Sequence, residues 1–351
     1  DRSPQRFPGG CVGRMADATR AAPLSPARPP VCRWAIRIPL LAAWAVLPIP
    51  LGTTPTAAAL LQLGGTPLRG GRLEGAVGLP LERASGGDTP VLPFTASGQP
   101  LRLLLDTGAS MTMVLPAAAA RLGLNPARHP ETSITLAGGG LGCGRLRPQR
   151  VNLPTLRLTG SSATAGVLRL EGAEALVLPV AALPPGVDGV LGIPSLRQLP
   201  FAIDPRAGRV SFGSAALPSN ADEASAISLP LRWKRGLPLL DLQGPRGPLP
   251  ALADTGAEGL FLSPELRQTL TPLGPGQRLT LVGVCGDQPV TRLPMLGIGL
   301  PGTEPRAAEV VLTANPIFSQ LGVRAILGQE LLGSHRQLWR LDLPNPRLEL
   351  R

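Results

Sequence analysis

The chain contains few aromatic and few charged residues. Its 351 residues include no tyrosine, 3% aromatic residues and 16% charged residues. Single-stranded nucleic acid is bound by aromatic stacking platforms in basic grooves, so this composition argues against that function. The formal net charge of +11 is spread along the chain; Lys234 is the only lysine, and no basic run is longer than Lys234-Arg235. We therefore expect no nucleic-acid partner.

Histidine and cysteine are also scarce. The chain has two histidines, His129 and His335, and four cysteines. Neither the C-x-x-C nor the H-E-x-x-H spacing of metal sites occurs, so we expect no metal and no cofactor. Neither histidine lies in a recognisable nucleophile context, which argues against Ser-His-Asp and Cys-His enzymes.

Glycine and proline are abundant, with 43 and 42 residues. Both residues are costly inside helices, so helical bundles and coiled coils are excluded. The hydrophobic fraction of 43% is high enough to bury a core and offset the ordering entropy of the chain. The sequence therefore predicts an all-β fold of many short strands joined by turns.

The N-terminal segment resembles an export signal. Two arginines precede an apolar stretch over 38–51, and Thr-Ala-Ala-Ala follows at 56–59. The apolar stretch is shorter than the roughly 20 residues that a membrane span needs, and prolines interrupt it. We expect residues 1–59 to be a leader, with 1–14 upstream of a true start at Met15. The protein would then be periplasmic or extracellular; the alternative is a membrane anchor that is not cleaved.

An eight-residue motif occurs twice. Residues 103–110 read Leu-Leu-Leu-Asp-Thr-Gly-Ala-Ser, and residues 251–258 read Ala-Leu-Ala-Asp-Thr-Gly-Ala-Glu. The residues around the two copies also correspond, since each copy follows an apolar hairpin and precedes a proline that can open a helical turn. The corresponding pairs are hairpins over 91–105 and 237–253, helical turns over 116–122 and 264–270, and closing hairpins over 201–212 and 338–350.

A second short motif also repeats. Gly189-Val190-Leu191-Gly192 corresponds to Ala325-Ile326-Leu327-Gly328. The doubled order of motifs predicts two similar all-β lobes joined by a small polar linker. The predicted organisation is a linker or propeptide over 60–69, an N-terminal lobe over 70–215, a linker over 216–225 and a C-terminal lobe over 226–351.

An apolar strand that enters Asp-Thr-Gly, followed later by two aliphatic residues and a glycine, resembles the retropepsin-like and pepsin-like aspartic proteases. Retroviral members carry one copy and dimerise, whereas pepsins carry two copies in one chain. This sequence is similar to the bacterial single-chain form, and the resemblance covers most of residues 70–351. It implies a bilobal acid-protease fold with pseudo-two-fold symmetry and a cleft between the lobes. It also implies an aspartic endopeptidase that works as a monomer on an extended peptide.

The resemblance assigns Asp106 and Asp254 as the catalytic dyad. One carboxylate takes a proton from water while the other carboxyl protonates the substrate. Two carboxyl groups at close range share one proton, for which this family's dyad is the standard example. The residues that would support the active-site turns are Thr107, Gly108, Ser110, Thr255 and Gly256, with Ser110 bonded to the outer oxygen of Asp106. Those that would pack beneath them are Val190, Leu191, Gly192, Ile326, Leu327 and Gly328.

The family also places a glycine-rich flap over the substrate in each half. The corresponding segments here are 137–144 and 282–287. Glu258 resembles an acidic position that holds the substrate backbone, although a solvated charge at a strand end is an equal alternative. The expected substrate contacts are Ala109, Ala257, Glu258, Gly140, Gly142, Val284 and Gly286.

Each flap candidate contains one cysteine, Cys143 or Cys285. Pseudo-two-fold symmetry would bring the two flap tips together over the cleft. The pair is then either a disulfide that latches the flaps or a thiol pair that gates them by redox state; the alternative is two unpaired thiols. The alternative to proteolysis as a whole is a catalytically silent peptide-binding or scaffolding protein that keeps the fold.

Overall fold

The computed structural model describes residues 59–126, 132–140, 142–160, 166–180, 182–218 and 227–351. The predicted leader, apart from Ala59, lies outside these residues. Strands account for almost all of the regular structure, and the few helices are short. The all-β fold class that the glycine and proline content predicts is therefore confirmed.

The described strands lie along the chain in the following order. They are β1 Leu60–Gln62, β2 Gly70–Pro80, β3 Glu82–Arg83, β4 Pro90–Ala96, β5 Gln99–Leu105, β6 Met113–Val114, β7 Leu136–Gly138, β8 Gln149–Asn152, β9 Leu156–Thr159, β10 Gly166–Val177, β11 Gly189–Leu191, β12 Phe201–Asp204, β13 Arg209–Phe212, β14 Ile227–Pro230, β15 Arg232–Lys234, β16 Leu237–Gly244, β17 Gly247–Ala253, β18 Leu260–Leu262, β19 Thr271–Pro272, β20 Gln277–Gly283, β21 Gly286–Ile298, β22 Arg306–Leu312, β23 Ala325–Leu327, β24 Gln337–Arg340 and β25 Arg347–Leu350.

The described helices are α1 Pro116–Arg121, α2 Ile193–Leu196, α3 Pro316–Leu321 and α4 Gln329–Leu332, with 3-10 turns at Cys143–Arg145, Gly213–Ala216 and Pro264–Gln268. Within the described ranges, none of the helices combines the length and apolar character that a membrane crossing requires.

The strands of the described residues form three sheets. The largest has 14 strands in the order β14-β25-β24-β12-β13-β2-β10-β6-β11-β5-β4-β3, with β8 and β9 paired to β10. The second has nine strands in the order β15-β16-β17-β23-β18-β22-β21-β19, with β20 paired to β21. The third consists of β1 and β7.

The repeated hairpins form where the sequence predicts them. β4 pairs antiparallel with β5, and β16 pairs antiparallel with β17. Ser97 and Gly98 make the first turn, with φ of 49° and 76°; this left-handed conformation suits a two-residue hairpin turn. The prolines after each copy open α1 and the 3-10 turn at Pro264–Gln268. Local turn residues and prolines therefore determine the hairpin before each Asp-Thr-Gly motif and the helical turn after it.

The two closing hairpins pair with each other. β12 of the first hairpin lies antiparallel to β24 of the second, with Phe201 opposite Trp339. The Phe201 ring centroid is 5.7 Å from that of Phe212 and 5.8 Å from that of Trp339, and all three side chains are buried. Because β14, β24 and β25 join strands from the first half of the chain, the largest sheet contains strands of both halves, and buried residues of both halves lie in one core cluster.

Candidate active site

Each Asp-Thr-Gly motif begins directly after a buried strand. Asp106 follows β5, and Asp254 follows β17. The two strands run parallel to β11 and β23, and the Asp backbone amides donate to the carbonyls of Leu191 and Leu327 at 3.2 and 3.0 Å. The predicted aliphatic supports, Val190, Leu191, Ile326 and Leu327, are buried beside the motifs, and Gly192 and Gly328 pack against the backbone of the active-site loops.

Two threonines connect the motifs. The Thr107 hydroxyl donates to the Ala253 carbonyl at 2.7 Å, and the Thr255 hydroxyl donates to the Leu105 carbonyl at 2.7 Å. Each hydroxyl also accepts the backbone N–H of the opposite threonine, at 2.9 and 3.0 Å. All of these groups are buried. The network fixes the position of one loop relative to the other and therefore the separation of the two carboxyl groups.

The network gives a stability prediction. Thr255→Val keeps the approximate shape of the side chain and leaves the Thr107 N–H and the Leu105 carbonyl without their partner in a buried site. We expect a loss of about 2 kcal/mol in the free energy of unfolding, measured by urea denaturation. Thr303→Val is the matched control, because the Thr303 hydroxyl donates to the nearby Leu300 carbonyl and, within the described ranges, connects no distant segments. Equal stability of the Thr255 variant and the wild type would contradict the role assigned to the network.

The motif glycines bring each loop close to the opposite aspartate. A Cβ atom at Gly108 would overlap the carboxyl group of Asp254, and one at Gly256 would overlap that of Asp106. Glycine is therefore required at both positions by close approach across the pseudo-two-fold axis. The same geometry shows that the two aspartates face each other at the centre of the site.

Both aspartate side chains are completely buried. Oδ1 of Asp106 accepts the Gly108 N–H at 2.7 Å, and Oδ1 of Asp254 accepts the Gly256 N–H at 2.8 Å. Among the described residues, neither Oδ2 atom has a donor. The two carboxyl groups lie within hydrogen-bonding range of each other, but two ionised carboxylates have no proton to donate. One proton held between the groups would satisfy both oxygens.

The electrostatics of the pair favour such a proton. Burial raises the pKa of Asp106 well above its ordinary value, and the charge of Asp254 raises it further. Burial also raises the pKa of Asp254, to about 6, although hydrogen bonds from Asp106 and the Gly256 amide lower it. A buried pair with raised pKa values can act as acid and base near neutral pH.

Ser110 does not have the partner that the resemblance implies. Its hydroxyl accepts the Gln62 N–H at 2.8 Å, and the structure contains no hydrogen bond from it to Asp106. The difference arises because β1 lies against the loop: the Leu60 N–H donates to the Gly108 carbonyl at 3.1 Å, and the Ser110 N–H donates to the Leu60 carbonyl at 2.9 Å.

Glu258 lies at the other side of the site. Its carboxylate packs against Gly87, and its backbone carbonyl accepts the Glu330 N–H at 2.9 Å. The side chain is half-buried and lines a cavity of about 270 Å³ together with Arg83 and Asp88. Glu258 therefore contacts residues from both halves of the chain and is not a freely solvated charge.

The two flap candidates contact each other. Cys143 and Cys285 form a disulfide. Around it the Gly142 N–H donates to the Cys285 carbonyl at 2.7 Å, the Cys285 N–H donates to the Gly139 carbonyl at 2.7 Å, and Gly140 packs on the Gly286 backbone. The two segments thus meet tip to tip, as pseudo-two-fold symmetry predicts.

The two flaps differ in form. The second is a hairpin of β20 and β21 that turns at Val284 and Cys285. The described residues of segment 137–144, which do not include Leu141, form no hairpin. Instead β7 pairs with β1 and is followed by the 3-10 turn at Cys143. The position beside β7 is therefore filled by a segment from much earlier in the chain.

A chain of buried amides was not predicted from the sequence. Nε2 of Gln329 donates to the Thr255 carbonyl at 3.2 Å, and Nε2 of Gln337 donates to Oε1 of Gln329 at 3.1 Å. The Trp339 indole N–H completes the chain by donating to Oε1 of Gln337 at 3.2 Å. One sequence feature indicates such a chain. The polar residue Gln329 directly follows the second aliphatic-Gly motif, at a position where a core residue would be apolar.

A family model described as aspartyl protease matches residues 92–195, a range that includes Asp106 and the first aliphatic-Gly motif. Among solved structures, the chain is similar to basic 7S globulin from soybean, with 12% identity, a TM-score of 0.47 and coverage of 78% of this chain and 94% of that chain. It is also similar to conglutin gamma, a basic 7S globulin from lupine seeds, with 12% identity, a TM-score of 0.46 and coverage of 79% and 94%.

No curated protein matches the chain. The segment that carries the first catalytic candidate is thus similar to a family of known chemistry. Residues 92–195 match the aspartyl protease family.

Proposed function

We propose that the protein is an aspartic endopeptidase in which Asp106 and Asp254 hydrolyse peptide bonds. The observation that supports this proposal most directly is the pair of buried, facing carboxyl groups, each with one oxygen for which the described part of the chain supplies no donor. The aspartyl protease match of residues 92–195 supports the same chemistry. No covalent intermediate is needed, because the pair can supply both proton transfers.

The proposed reaction uses one ionised and one protonated carboxyl group. The carboxylate takes a proton from water as the water oxygen attacks the carbonyl carbon of the peptide. The protonated carboxyl gives its proton to the carbonyl oxygen, forming a neutral tetrahedral intermediate. When the carbon–nitrogen bond breaks, the protonated carboxyl gives its proton to the nitrogen and the carboxylate takes a proton from a hydroxyl group of the intermediate, so one proton again remains on the pair. The threonine network and the glycine turns hold the two groups in place through these steps.

The two half-sites lie on one chain, so no dimer is needed to assemble the dyad. We propose that the protein works as a monomer, that its partner is an extended peptide or protein substrate, and that it acts after export. A second candidate function is a catalytically silent peptide-binding or scaffolding protein. The observation that favours this alternative is the complete burial of both carboxyl groups.

Hydrolysis of a denatured protein or a peptide library between pH 3 and 8 distinguishes the two candidates. Activity requires the singly protonated pair, and the pKa of Asp254 is about 6 while that of Asp106 is raised well above its ordinary value. We therefore expect kcat/KM to be highest near neutral pH and to fall about tenfold per pH unit below pH 6, as the second proton is added.

The pH profile should be measured at constant ionic strength, with pH-dependent unfolding followed separately by circular dichroism. An activity maximum below pH 4 would contradict the raised pKa values. Absence of cleavage at every pH, by protein that is folded and binds peptide, would favour the binding protein.

A further inference from the structure

β1 lies between the flap and the active-site loop. On one side it pairs antiparallel with β7, with Leu60 opposite Gly138. On the other side Leu60 forms a parallel bridge with Ala109 through the hydrogen bonds to Gly108 and Ser110. A three-residue strand with backbone bonds on both edges has the position of a peptide bound by strand addition.

The direction of β1 is defined by the parallel bridge. The loop from Gly108 to Ser110 leads away from Asp106, and β1 runs in the same direction. Residues that precede Leu60 therefore lie nearer the dyad than residues that follow it. A bound peptide with this direction would present to this half of the groove the residues that follow its scissile bond.

The side chains of this segment are buried on both faces. Leu60 is 1% exposed and packs in one apolar cluster with Leu136 and Val284 of the flaps and with Met111. Leu61 is fully buried in the larger core cluster, as is Ala59. The groove thus has two apolar pockets, one toward the flaps and one toward the main core.

We propose that β1 is an intramolecular occupant of the peptide groove, which an incoming peptide must displace. This inference relies on the proposed function only for the identity of the groove as the substrate site. The occupant also indicates the substrate class: extended peptides with consecutive aliphatic residues on the C-terminal side of the scissile bond, in the positions of Leu60 and Leu61. Displacement regulates access, because the apparent affinity for a peptide is reduced by the fraction of molecules whose groove is open.

The first experiment measures peptide binding without turnover. The probe is Ala-Leu-Leu-Gln-Leu, the sequence of residues 59–63, labelled with fluorescein at its C-terminus, and binding is followed by fluorescence polarisation. The full chain carries Asp254→Asn so that the probe is not consumed. Adding Leu60→Asp, which places a charge in an apolar pocket and expels β1, should lower the Kd for the probe at least about tenfold.

Two controls define the result. Val167→Asp makes the same charge change at a position that is 38% exposed on β10, and it should leave the Kd within about twofold. A probe with aspartate in place of its first leucine should bind more weakly to every form. Equal Kd values with and without Leu60→Asp, or no binding to either form, would overturn the proposal.

Hydrogen exchange provides a second measurement that does not require Leu60→Asp to fold. Saturating probe added to the Asp254→Asn chain should speed exchange at the Leu60 and Gln62 amides while the Ser110 amide stays protected. Unchanged or slower exchange at Leu60 and Gln62 would show that β1 is a fixed part of the fold. Because neither experiment measures hydrolysis, displacement can be detected in a protein without activity, and hydrolysis without displacement would overturn this proposal alone.

Discussion

Asp254→Asn is expected to lower kcat/KM for peptide hydrolysis by at least about a thousandfold, since acid–base catalysis by a positioned side chain contributes 10²–10⁴-fold. The amide keeps the shape of the carboxyl group and can still accept the Gly256 N–H, but it can neither take nor donate the catalytic proton. Asp106→Asn should have the same effect, and the double variant should be little worse than either single variant, because the two residues act as a unit.

Although Asp254→Asn should lower activity, it should raise the stability of the folded protein. The pKa of Asp254 is raised in the folded protein, so the folded state binds more protons than the unfolded state between pH 4 and 6. The stability that protonated Asp254 contributes to the folded protein is therefore lost as pH rises through that range. Asparagine does not titrate, so the variant shows no such loss. We expect the free energy of unfolding of Asp254→Asn to exceed that of the wild type above pH 6, measured by urea denaturation.

Asp241→Asn is the matched control. Asp241 makes a two-point ion pair with Arg232 on the protein surface, at 2.6 and 2.8 Å. Because exposed ion pairs contribute about 0–1 kcal/mol, this variant should be nearly as stable and as active as the wild type. Comparable cleavage by Asp254→Asn and Asp241→Asn would show that the dyad does not carry the reaction.

Removal of both flap cysteines, as Cys143→Ala with Cys285→Ala, is expected to lower the free energy of unfolding by about 2–5 kcal/mol. The two residues are 142 positions apart, and a cross-link that closes so long a loop restricts the unfolded chain strongly. The alanine methyl groups also leave the tips of the flaps connected only by backbone hydrogen bonds and packing.

Urea denaturation with and without a reductant measures this effect. The reductant should destabilise the wild type and leave the double alanine variant unchanged, which separates loss of the cross-link from any general effect of the reagent. Because the chain also contains Cys11 and Cys32, thiols are titrated in the oxidised wild type and in the double alanine variant. Two more thiols in the wild type than in the variant, together with equal stability of the two proteins, would contradict the disulfide and restore the alternative of unpaired cysteines.

Much of the fold could be predicted from the sequence, because local signals specify it. The turn residues before each Asp-Thr-Gly motif set the hairpins, and Pro116 and Pro264 set the helical turns that follow. The doubled motif also identified Asp106 and Asp254 as residues that belong together. Periodicity and turn chemistry act over a few residues, so a single sequence contains this information.

The contacts between distant segments could not be predicted in the same way. β1 is three residues long, and its pairing with β7 depends on tertiary packing rather than on any local pattern. The expected bond between Ser110 and Asp106 is replaced by one from the Gln62 N–H of β1, which no local pattern indicates. The pairing of β12 with β24, which adds strands of the second predicted lobe to the largest sheet, likewise joins residues more than a hundred positions apart. Such pairings depend on side-chain packing throughout the core rather than on local sequence.

The disulfide between the flaps also bears on which substrates the proposed protease would accept. It joins the flap tips covalently, and β1 lies between β7 of the first flap and the active-site loop. We expect a peptide that takes the place of β1 under the joined flaps to enter end first, because a loop that projects from a folded protein has no free end. Oxidised protein should accordingly cleave chain termini and short peptides, and reduction should admit internal segments.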